Sequence, residues 1–511
     1  MSEGFQVARL IPVSGITSNV EAEMRATSAL LSVLSIVRDL SVALLTPLGA
    51  SSARRAAVEA FIETTFKLDS KVVRPDGLIQ VTYGASVWKA LVEVKTGDNV
   101  LEAEQVSNYV AVAREQGIDA VLTISNQIAV GGQHPCEDVK MRANSKVRLA
   151  HFSWTEILAH AVRTKVHRGV TDPEQAWILG ELIRYLEDKR SGAMAFEDMG
   201  GDWVAVRDAA REGTLRKADP GVREIVGRWD QLLQFAALRL GEQTGADVQH
   251  VVARAQSDPK IRCAYLTDTL VGSGTLEGVV RVPGAASDIA LAADLRARRV
   301  SASADITAPT DRGNKARITW LVKQLGADTP SGLTIEAWGR NARQPVAATL
   351  VQAREDRDVL LDPSREIARF RLVQRCEMGA NRKDGGRSPG FIQSAVGLLN
   401  GFYSETLRQV VPPPARAPQV RKGGQPTDLV KDPIGDAAEL DEAMGAARAN
   451  VAEETGDATE TAPRLAAADV VAKHEGDGGD LDDSDGKTQT APGEAEMISV
   501  LGSEPPVGDS R

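Results

Sequence analysis

The sequence has few cysteines, and no two of them are closely spaced. Cys136, Cys263 and Cys376 lie far apart along the chain. Because cysteine-ligated zinc sites use closely spaced ligands, no zinc site is expected. Scattered cysteines without a pairing pattern are typical of proteins in a reducing compartment, so we expect a cytoplasmic protein.

The sequence also lacks a recognisable leader and a long uncharged apolar run. Met1-Ser2-Glu3-Gly4 is not a basic region followed by an apolar one, so no signal peptide is expected. The most apolar stretch, residues 29–48, contains Arg38, Asp39 and several serines. This composition predicts a core helix and not a membrane span, and we expect no membrane association.

A basic excess is missing as well, since the formal net charge is −10. The charge is unevenly distributed, because residues 412–511 contain 21 acidic and 9 basic residues, whereas residues 1–411 contain 49 acidic and 51 basic ones. The acidic segment lacks aromatic residues and is rich in Ala, Gly, Asp, Glu, Thr and Pro. Such a segment buries too little apolar surface to offset the entropy of folding, so we expect disorder from about residue 415. The overall acidity therefore does not exclude a nucleic-acid partner for residues 1–411.

A chain of 511 residues is too long for one ordinary core, and we expect about three domains and a tail. The predicted divisions are a nuclease-like α/β domain (1–165), a helical region (166–260), a β-rich domain ending in a helix (261–411) and the acidic tail (412–511).

The first predicted domain alternates helices and strands. The capping-box spacing of Ser18 and Glu21 predicts the start of a long core helix that ends at Pro47-Leu48-Gly49. The later predicted elements are a helix over 52–66, an extended run beginning at Pro75-Asp76-Gly77, a strand over 87–95, a helix over 102–116, strands over 120–124 and 147–152, and a helix capped by Thr155. This order predicts an α/β core with a mixed sheet flanked by helices.

The rest of the chain changes character after about residue 260. Before that point we predict helices over 173–189 and 222–240 and a weaker one over 247–255. Residues 263–378 contain short alternating runs, such as 299–306 and 316–322, that predict an antiparallel β module. A basic loop (381–387), interpreted as either a phosphate-binding or an ordinary surface loop, precedes a last predicted helix over 391–410.

Two neighbouring strands of the first domain carry a group of charged residues. Residues i and i+2 of a strand share a face, so Glu93 and Lys95 point the same way, while Val92 and Val94 point into the core. Asp76 supplies a second carboxylate from the preceding extended run. Mg²⁺ is bound through one or two carboxylates together with other oxygens, so Asp76, Glu93 and the carbonyl of Val94 are predicted ligands of Mg²⁺ or Mn²⁺. Lys95 is positioned to act on a water molecule or on a phosphate, which predicts hydrolysis of phosphodiester bonds.

These residues also carry a family resemblance. Arg74-Pro75-Asp76-Gly77 followed by Glu93-Val94-Lys95 resembles the PD-(D/E)xK signature of the restriction-endonuclease-like nuclease superfamily. Gln105 and Tyr109 match the Q-x-x-x-Y element of its RecB-like members, and Glu63 is similar to the acidic residue that many members supply from the helix before the first strand. The resemblance covers residues 50–155.

The resemblance implies a restriction-endonuclease-like core and a Mg²⁺-dependent nuclease. Asp76, Glu93, Lys95, Gln105, Tyr109 and Glu63 are then the predicted site residues. DNA is the expected substrate, RNA is not excluded, and the family works in defence against foreign DNA and in repair.

Each residue also has a structural interpretation. Asp76 fits a Pro-Asp-Gly turn, Glu93 and Lys95 fit a strand ion pair, and Gln105 and Tyr109 fit the polar rim of a helix. A second E-x-K, Glu187-Asp188-Lys189, has neither an apolar strand around it nor a Pro-Asp upstream, so the triplet alone is uninformative.

The alternative function is a catalytically inactive nuclease fold that binds nucleic acid or assembles with a protein partner through the β-rich domain or the tail. Two histidines, His134 and His151, also lie within the predicted nuclease-like domain. His134, next to Cys136, lacks nearby partners for a metal site, and His151 alternates with core residues and is interpreted as structural.

Overall fold

Two β-sheets organise the chain. The computed structural model describes residues 8–53, 55–68, 71–142, 144–194, 196–379 and 390–413. The basic loop predicted over 381–387 and the tail predicted to be disordered from about residue 415 lie outside the described residues.

The first half of the chain builds a five-stranded mixed sheet. Its strands and an adjoining hairpin are β1 (Ala57–Ile62), β2 (Phe66–Leu68), β3 (Lys71–Val73), β4 (Gly77–Tyr83), β5 (Ser86–Val94), β6 (Ala120–Ser125) and β7 (Arg148–Ser153). The sheet order is β1-β4-β5-β6-β7, and β2 pairs only with β3. Strands β1, β4 and β5 are antiparallel, whereas β5, β6 and β7 are parallel. The predicted α/β class with a mixed sheet is confirmed.

Helices cover both faces of this sheet. They are α1 (Asn19–Ile36), α2 (Arg38–Leu45), α3 (Ala103–Glu115), α4 (Trp154–Val162) and α5 (Pro173–Leu186). Helices α1, α2, α4 and α5 pack on the face that carries Val92 and Val94. Helix α3 and the β2–β3 hairpin cover the opposite face, which carries Leu91 and Val121. Glu93 lies two residues after Leu91 on β5, so its side chain is on the face covered by α3.

The helix ends show which local sequence signals were sufficient to predict where a helix begins or ends. Ser18 caps α1 through its side chain, which accepts a hydrogen bond from the Glu21 backbone N–H, as predicted. The long core helix is interrupted at Val37, however, where the backbone turns to an extended conformation between α1 and α2. The cap of α4 is Ser153 and not Thr155, because Ser153 and Glu156 form a reciprocal capping box.

The predicted helix over 52–66 is wrong. Residues 57–62 form strand β1, which pairs with β4 from Ala57–Thr82 to Ile62–Gly77. The alanines and Glu59 favour a helix locally, but pairing along the edge of the sheet outweighs that weak preference.

The second half of the chain builds a seven-stranded antiparallel sheet, so the predicted β module is confirmed. Its elements are α6 (Trp203–Glu212), α7 (Val222–Thr244), β8 (Gln249–Val251), α8 (Pro259–Ser273), β9 (Thr275–Arg281), β10 (Ile289–Asp294), β11 (Arg299–Thr307), α9 (Asn314–Gln324), β12 (Thr334–Gly339), β13 (Val346–Thr349), α10 (Leu350–Glu355), β14 (Ile367–Glu377) and α11 (Phe391–Gly401). The strand order is β13-β12-β14-β11-β10-β9-β8.

Two predicted elements in this half have the wrong type. The run 316–322 lies in helix α9, because its buried side chains, such as Ile318, Leu321 and Val322, recur at helical spacing. The weak helix predicted over 247–255 is replaced by strand β8, which pairs with β9. Helix α6 was not predicted.

The helical segment between the sheets contributes to both hydrophobic cores. Leu179 and Leu182 of α5 pack with the first sheet, whereas Trp229 and Leu233 of α7 pack with the second. Within the described ranges no single helix has both the length and the apolar character needed to cross a membrane; α1 and the stretch Arg38–Leu48 meet those criteria only as a pair bent by 106°.

Candidate active site

Asp76 lies immediately before β4, next to the end of β5. Its Oδ2 accepts a hydrogen bond of 2.7 Å from the backbone N–H of Val94. Gly77 pairs with Val92 in the sheet, so the preceding residue, Asp76, lies beside Glu93. The side chain is partly buried, and its pKa is raised above the usual value, chiefly by burial, although the Val94 N–H and the charge of Lys95 oppose this rise.

Glu93 is the most buried charged residue of the site, with 1% of its surface exposed. Its Oε1 accepts a hydrogen bond of 2.6 Å from Lys95 Nζ. Its Oε2 is buried and has no hydrogen-bond partner within the described part of the chain. Burial first, and then the negative charge of Asp76, raise the pKa of Glu93 to about 7.

Lys95 completes the charged group. Burial alone would lower the pKa of its ammonium, but the hydrogen bond and charge of Glu93, helped by Glu23 and Asp76, raise it overall. The ammonium is therefore charged at neutral pH and stands among three carboxylates. Its backbone is fixed too, since Lys95 N–H donates to Ile124 O and Trp154 Nε1 donates to Lys95 O.

Gln105 and Tyr109 lie one turn apart on α3 and form a hydrogen-bonded pair. Gln105 Nε2 donates to Tyr109 Oη over 2.8 Å, and Tyr109 Oη donates to the carbonyl of Arg74 over 3.2 Å. Burial and the nearby charge of Glu93 raise the pKa of Tyr109. The pair therefore anchors the backbone two residues before Asp76, with the phenol close to Glu93.

Glu63 does not lie on a helix. It occupies the turn after β1 with φ of 55°, and its backbone N–H donates to the carbonyl of Asp76. The side chain is exposed, and none of the hydrogen bonds or ion pairs within residues 55–68 involves its carboxylate. Glu59, four residues before Glu63, lies on β1 and accepts a hydrogen bond from Gln80. The structure thus brings the backbone of Glu63 to the site, whereas its carboxylate makes no hydrogen bond or ion pair there with any described residue.

The acidic side chain that a helix does supply is Glu23 of α1, which the sequence reasoning missed. Its Oε1 accepts hydrogen bonds from Thr96 N–H and from Asn99 Nδ2, at 3.3 and 2.6 Å. Its charge acts on both Asp76 and Lys95. A search of every helix before the first strand for acidic residues, and not only of the nearest segment, would have found it.

A row of polar side chains continues the site across the sheet. Glu93 pairs with Thr123 on β6, and Thr123 pairs with His151 on β7, so all three share one face. Thr123 Oγ1 lies 2.8 Å from His134 Nε2 and 2.9 Å from His151 Nδ1. Sequence alternation had marked His151 only as structural.

The hydrogen bonds of this row fix the tautomers of both histidines. His134 Nδ1 accepts from the Cys136 N–H, so its Nε2 carries the proton and donates to Thr123. His151 Nε2 faces the carbonyl of Gln127 at 2.8 Å and donates to it. Burial lowers the pKa of His151 to about 4, so its Nδ1 carries no proton and its lone pair faces the Thr123 hydroxyl, which also lies 3.3 Å from Ala150 O. Both rings are therefore held neutral.

The other residues that the sequence singled out have structural partners. Cys136 Sγ donates to Leu101 O, and burial raises the pKa of the thiol. In the second E-x-K, Asp188 pairs with Arg9 and Arg190, and Lys189 pairs with Glu197. This second triplet is surface structure and provides a matched comparison for the first.

The donor set at Asp76 and Glu93 fits a hard cation. Burial raises the pKa of both carboxyl groups, the charge of Asp76 raises that of Glu93 further, and one buried carboxylate oxygen has no hydrogen-bond partner among the described residues. A cation bound by oxygens would offset the charge of the two carboxylates and would give the unpartnered oxygen a partner. Among the described residues no group of three or more His, Cys, Asp or Glu side chains is arranged to hold a metal ion, so a cation here would depend on two carboxylates, with backbone and substrate oxygens.

Known proteins match part of the chain. No protein-family model matches the chain, and no solved structure matches it. The chain is similar to the DNA mismatch repair protein MutL of two strains of Halobacterium salinarum, with 32% identity over 178 residues. The alignment covers 33% of this chain and 27% of each relative, so the chain spans about a quarter of the length of the relatives it matches.

Proposed function

We propose that the chain is a metal-dependent nuclease with a restriction-endonuclease-like core that hydrolyses phosphodiester bonds in DNA. The observation that carries the proposal is the convergence of Asp76, Glu93 and Lys95 at one point of a mixed sheet, with Glu93 almost fully buried. A buried carboxylate whose pKa is raised to about 7 is costly for stability. Costly ionisable groups of this kind concentrate at functional sites.

Asp76 and Glu93 would hold Mg²⁺ or Mn²⁺, with the carbonyl of Val94 as a third oxygen. When bound, the cation lowers the pKa of a water molecule and offsets charge on the scissile phosphate. Lys95, charged and half-buried, places its ammonium where it stabilises negative charge on that phosphate.

The surrounding residues act by positioning. Gln105 and Tyr109 fix the carbonyl of Arg74, and with it the approach of the chain to Asp76. Glu23 fixes the loop after Lys95 through Thr96 and Asn99. These contacts hold the two carboxylates together before any ligand is present, which lowers the cost of binding one.

The test is cleavage of single- and double-stranded DNA by the purified chain with Mg²⁺ or Mn²⁺, compared with chelator. We expect Asp76→Ala and Lys95→Ala each to lose activity by about 10²-fold or more. Lys189→Ala, from the second E-x-K, is the matched control and should retain activity. Cleavage that persists in both site variants would refute the assignment.

A second candidate function is a nuclease-fold module that binds nucleic acid without cleaving it. It is favoured by the 2.6 Å contact that already ties Lys95 to Glu93. DNA binding without cleavage, indifferent to metal and to Glu93→Ala, would support this candidate, whereas calorimetric Mn²⁺ binding that is lost in Glu93→Ala would support the enzyme.

A further inference from the structure

A polar cavity of about 400 Å³ lies beyond β7, the edge strand of the first sheet. It is bounded by the loop after β6, by one stripe of α4, and by α7 and β8 from the second half of the chain. Four of the six histidines in the sequence line it, namely His134, His151, His160 and His250. Its volume is within the range of small-molecule sites.

Two buried groups in the cavity wall lack partners. The side chain of His250 is 1% exposed, and neither of its ring nitrogens has a hydrogen-bond partner among the described residues; Asp230 Oδ1 lies 3.7 Å from Nε2. Arg163 is also buried, and its Nε has no acceptor within the same ranges. Buried polar groups are normally satisfied, so unsatisfied ones lining a cavity indicate a ligand that supplies the missing bonds.

The charges of the cavity exclude most ionic ligands. Arg163 is compensated by Asp247 at 2.8 Å. Burial lowers the pKa of His160 and His250 to about 4, which leaves both rings neutral, and raises the pKa of Glu156 to about 7. Among the described residues that line the cavity, a phosphate would meet two carboxyl groups and no unpaired cation, so phosphate binding is disfavoured.

A transition metal is disfavoured by the hydrogen bonds. The lone pair of His134 Nδ1 already accepts from Cys136 N–H, and that of His151 Nδ1 faces the Thr123 hydroxyl at 2.9 Å. No three potential ligands within the described ranges are arranged around a common point. What remains is an uncharged ligand with several donors and acceptors, matched by neutral imidazoles and by the amides of Gln234 and Gln249.

The cavity lies close to the candidate active site. Glu93, Thr123 and His151 occupy three adjacent strands at the same level of the sheet. Two strand spacings separate Glu93 from the cavity wall, or about 10 Å. A ligand in the cavity is thus within reach of nucleotides that flank a phosphate held at Asp76 and Glu93.

We propose that this cavity binds one nucleobase of the substrate strand, turned out of the stack beside the scissile phosphate. Enzymes that read an extruded base do so by hydrogen bonds to its polar edge in a close-fitting pocket, and a nucleobase is an uncharged, planar group rich in donors and acceptors. This inference rests on the proposed function, since it makes the cavity the part of a nuclease that selects the base next to the cut.

The test uses the full chain with chelator present, so that no metal at Asp76 and Glu93 contributes to binding. Calorimetry compares the four deoxynucleoside 5′-monophosphates with deoxyribose 5-phosphate. We expect at least one nucleotide to bind tenfold or more tightly than the sugar phosphate. Gln234→Leu and His250→Phe should each weaken that binding at least tenfold, whereas Gln243→Leu, an exposed position of α7 outside the cavity, should leave it unchanged.

Three outcomes would overturn the inference. They are equal binding of nucleotides and deoxyribose 5-phosphate, nucleotide binding unchanged in both cavity variants, or Zn²⁺ binding that His250→Phe abolishes. Cleavage assays separate this inference from the proposed function. If Gln234→Leu cleaves DNA with the same base preference as the unmodified chain, the cavity proposal alone is refuted. If the chain cleaves no DNA but binds a nucleotide, and Gln234→Leu abolishes that binding, the nuclease proposal alone is refuted.

Discussion

Glu93 is a carboxyl group enclosed by Asp76, Lys95 and the sheet, and its burial affects stability as well as chemistry. Burial and Asp76 raise its pKa from 4.5 to about 7. Between these values the folded state keeps a proton that the unfolded chain has released, so the free energy of unfolding falls as the pH rises. The loss is complete above pH 7 and amounts to about 3 kcal/mol at most.

Replacing Glu93 by glutamine should remove this loss, because the amide resembles the protonated carboxyl group. We expect Glu93→Gln to be more stable than the unmodified chain by about 1–3 kcal/mol at pH 8, and by less than about 1 kcal/mol at pH 5. Urea unfolding with chelator present measures both values.

Glu115→Gln, an exposed position of α3, is the control and should change stability equally little at both pH values. A Glu93→Gln effect of the same size at pH 5 and pH 8 would contradict the pKa argument. Added Mg²⁺ should stabilise the unmodified chain at pH 8 and leave the variant unaffected.

The candidate site was predictable where neighbours in sequence are neighbours in space. Alternation along β5 is enough to put Glu93 and Lys95 on one face, and the helical spacing of Gln105 and Tyr109 is enough to bring them into contact. Glu23 and His151 reach the same region through α1 packing and strand register. Those relations are set by tertiary structure, and no local pattern encodes them.

At the scale of the element, buried strands and capped helices were the predictable parts. Strand β6 is buried at every position, and four of its six residues are apolar. Edge elements were misassigned, because β1 pairs on one side only and its sequence also suits a helix. In α9 the apparent alternation concealed a helical stripe. A local pattern predicts an element well when only one element type would bury its apolar residues, and poorly when tertiary pairing decides between two types.

Gly77 shows how closely two elements pack at the site. A Cβ at this position would overlap Leu31 Cδ1 of α1 and lie 3.0 Å from the carbonyl oxygen of Phe61 on β1. Because Gly77 follows Asp76, a backbone shift of β4 that relieves this overlap also moves the carboxylate relative to the Val94 N–H. We expect Gly77→Ala to destabilise the chain by about 1–3 kcal/mol and to reduce cleavage further.

Gly227→Ala is the matched control, because Gly227 is an exposed position of α7 with nothing within 4 Å of an added Cβ. It should stabilise the chain by about 0.5–1 kcal/mol. Urea unfolding curves measure the change in stability of both variants. Equal stability of Gly77→Ala and the unmodified chain would show that α1 does not pack against β4 as described.

At the scale of the whole molecule, the two sheets are joined by more than the chain that connects them. Helix α5 completes the first core and α7 the second. Arg163, at the end of α4, pairs with Asp247 before β8. The composition indicated separate modules. It could not indicate which helix belongs to which core, because the apolar face of an amphipathic helix can pack against either core. The polar cavity, which has walls from both halves, was unpredictable for the same reason.

The acidic segment gives a prediction for the molecule as a whole. Residues 412–511 carry a net charge of −12, and residues 475–511, with ten acidic and two basic residues, carry −8 of it. Such a segment repels DNA and competes with it for basic surface. Truncation after Val411 should therefore raise DNA affinity, most strongly at low salt, and truncation after His474 should give about two-thirds of that gain in binding free energy.

Binding curves in 50 and 500 mM salt test this prediction, since screening should remove most of the difference at the higher concentration. A gain that follows the charge removed supports a general electrostatic effect, because repulsion depends on net charge and not on the order of residues. A gain that appears in full with either truncation would instead locate a specific contact in residues 475–511. Affinity and salt dependence that are unchanged in both truncations would rule out competition by the acidic segment.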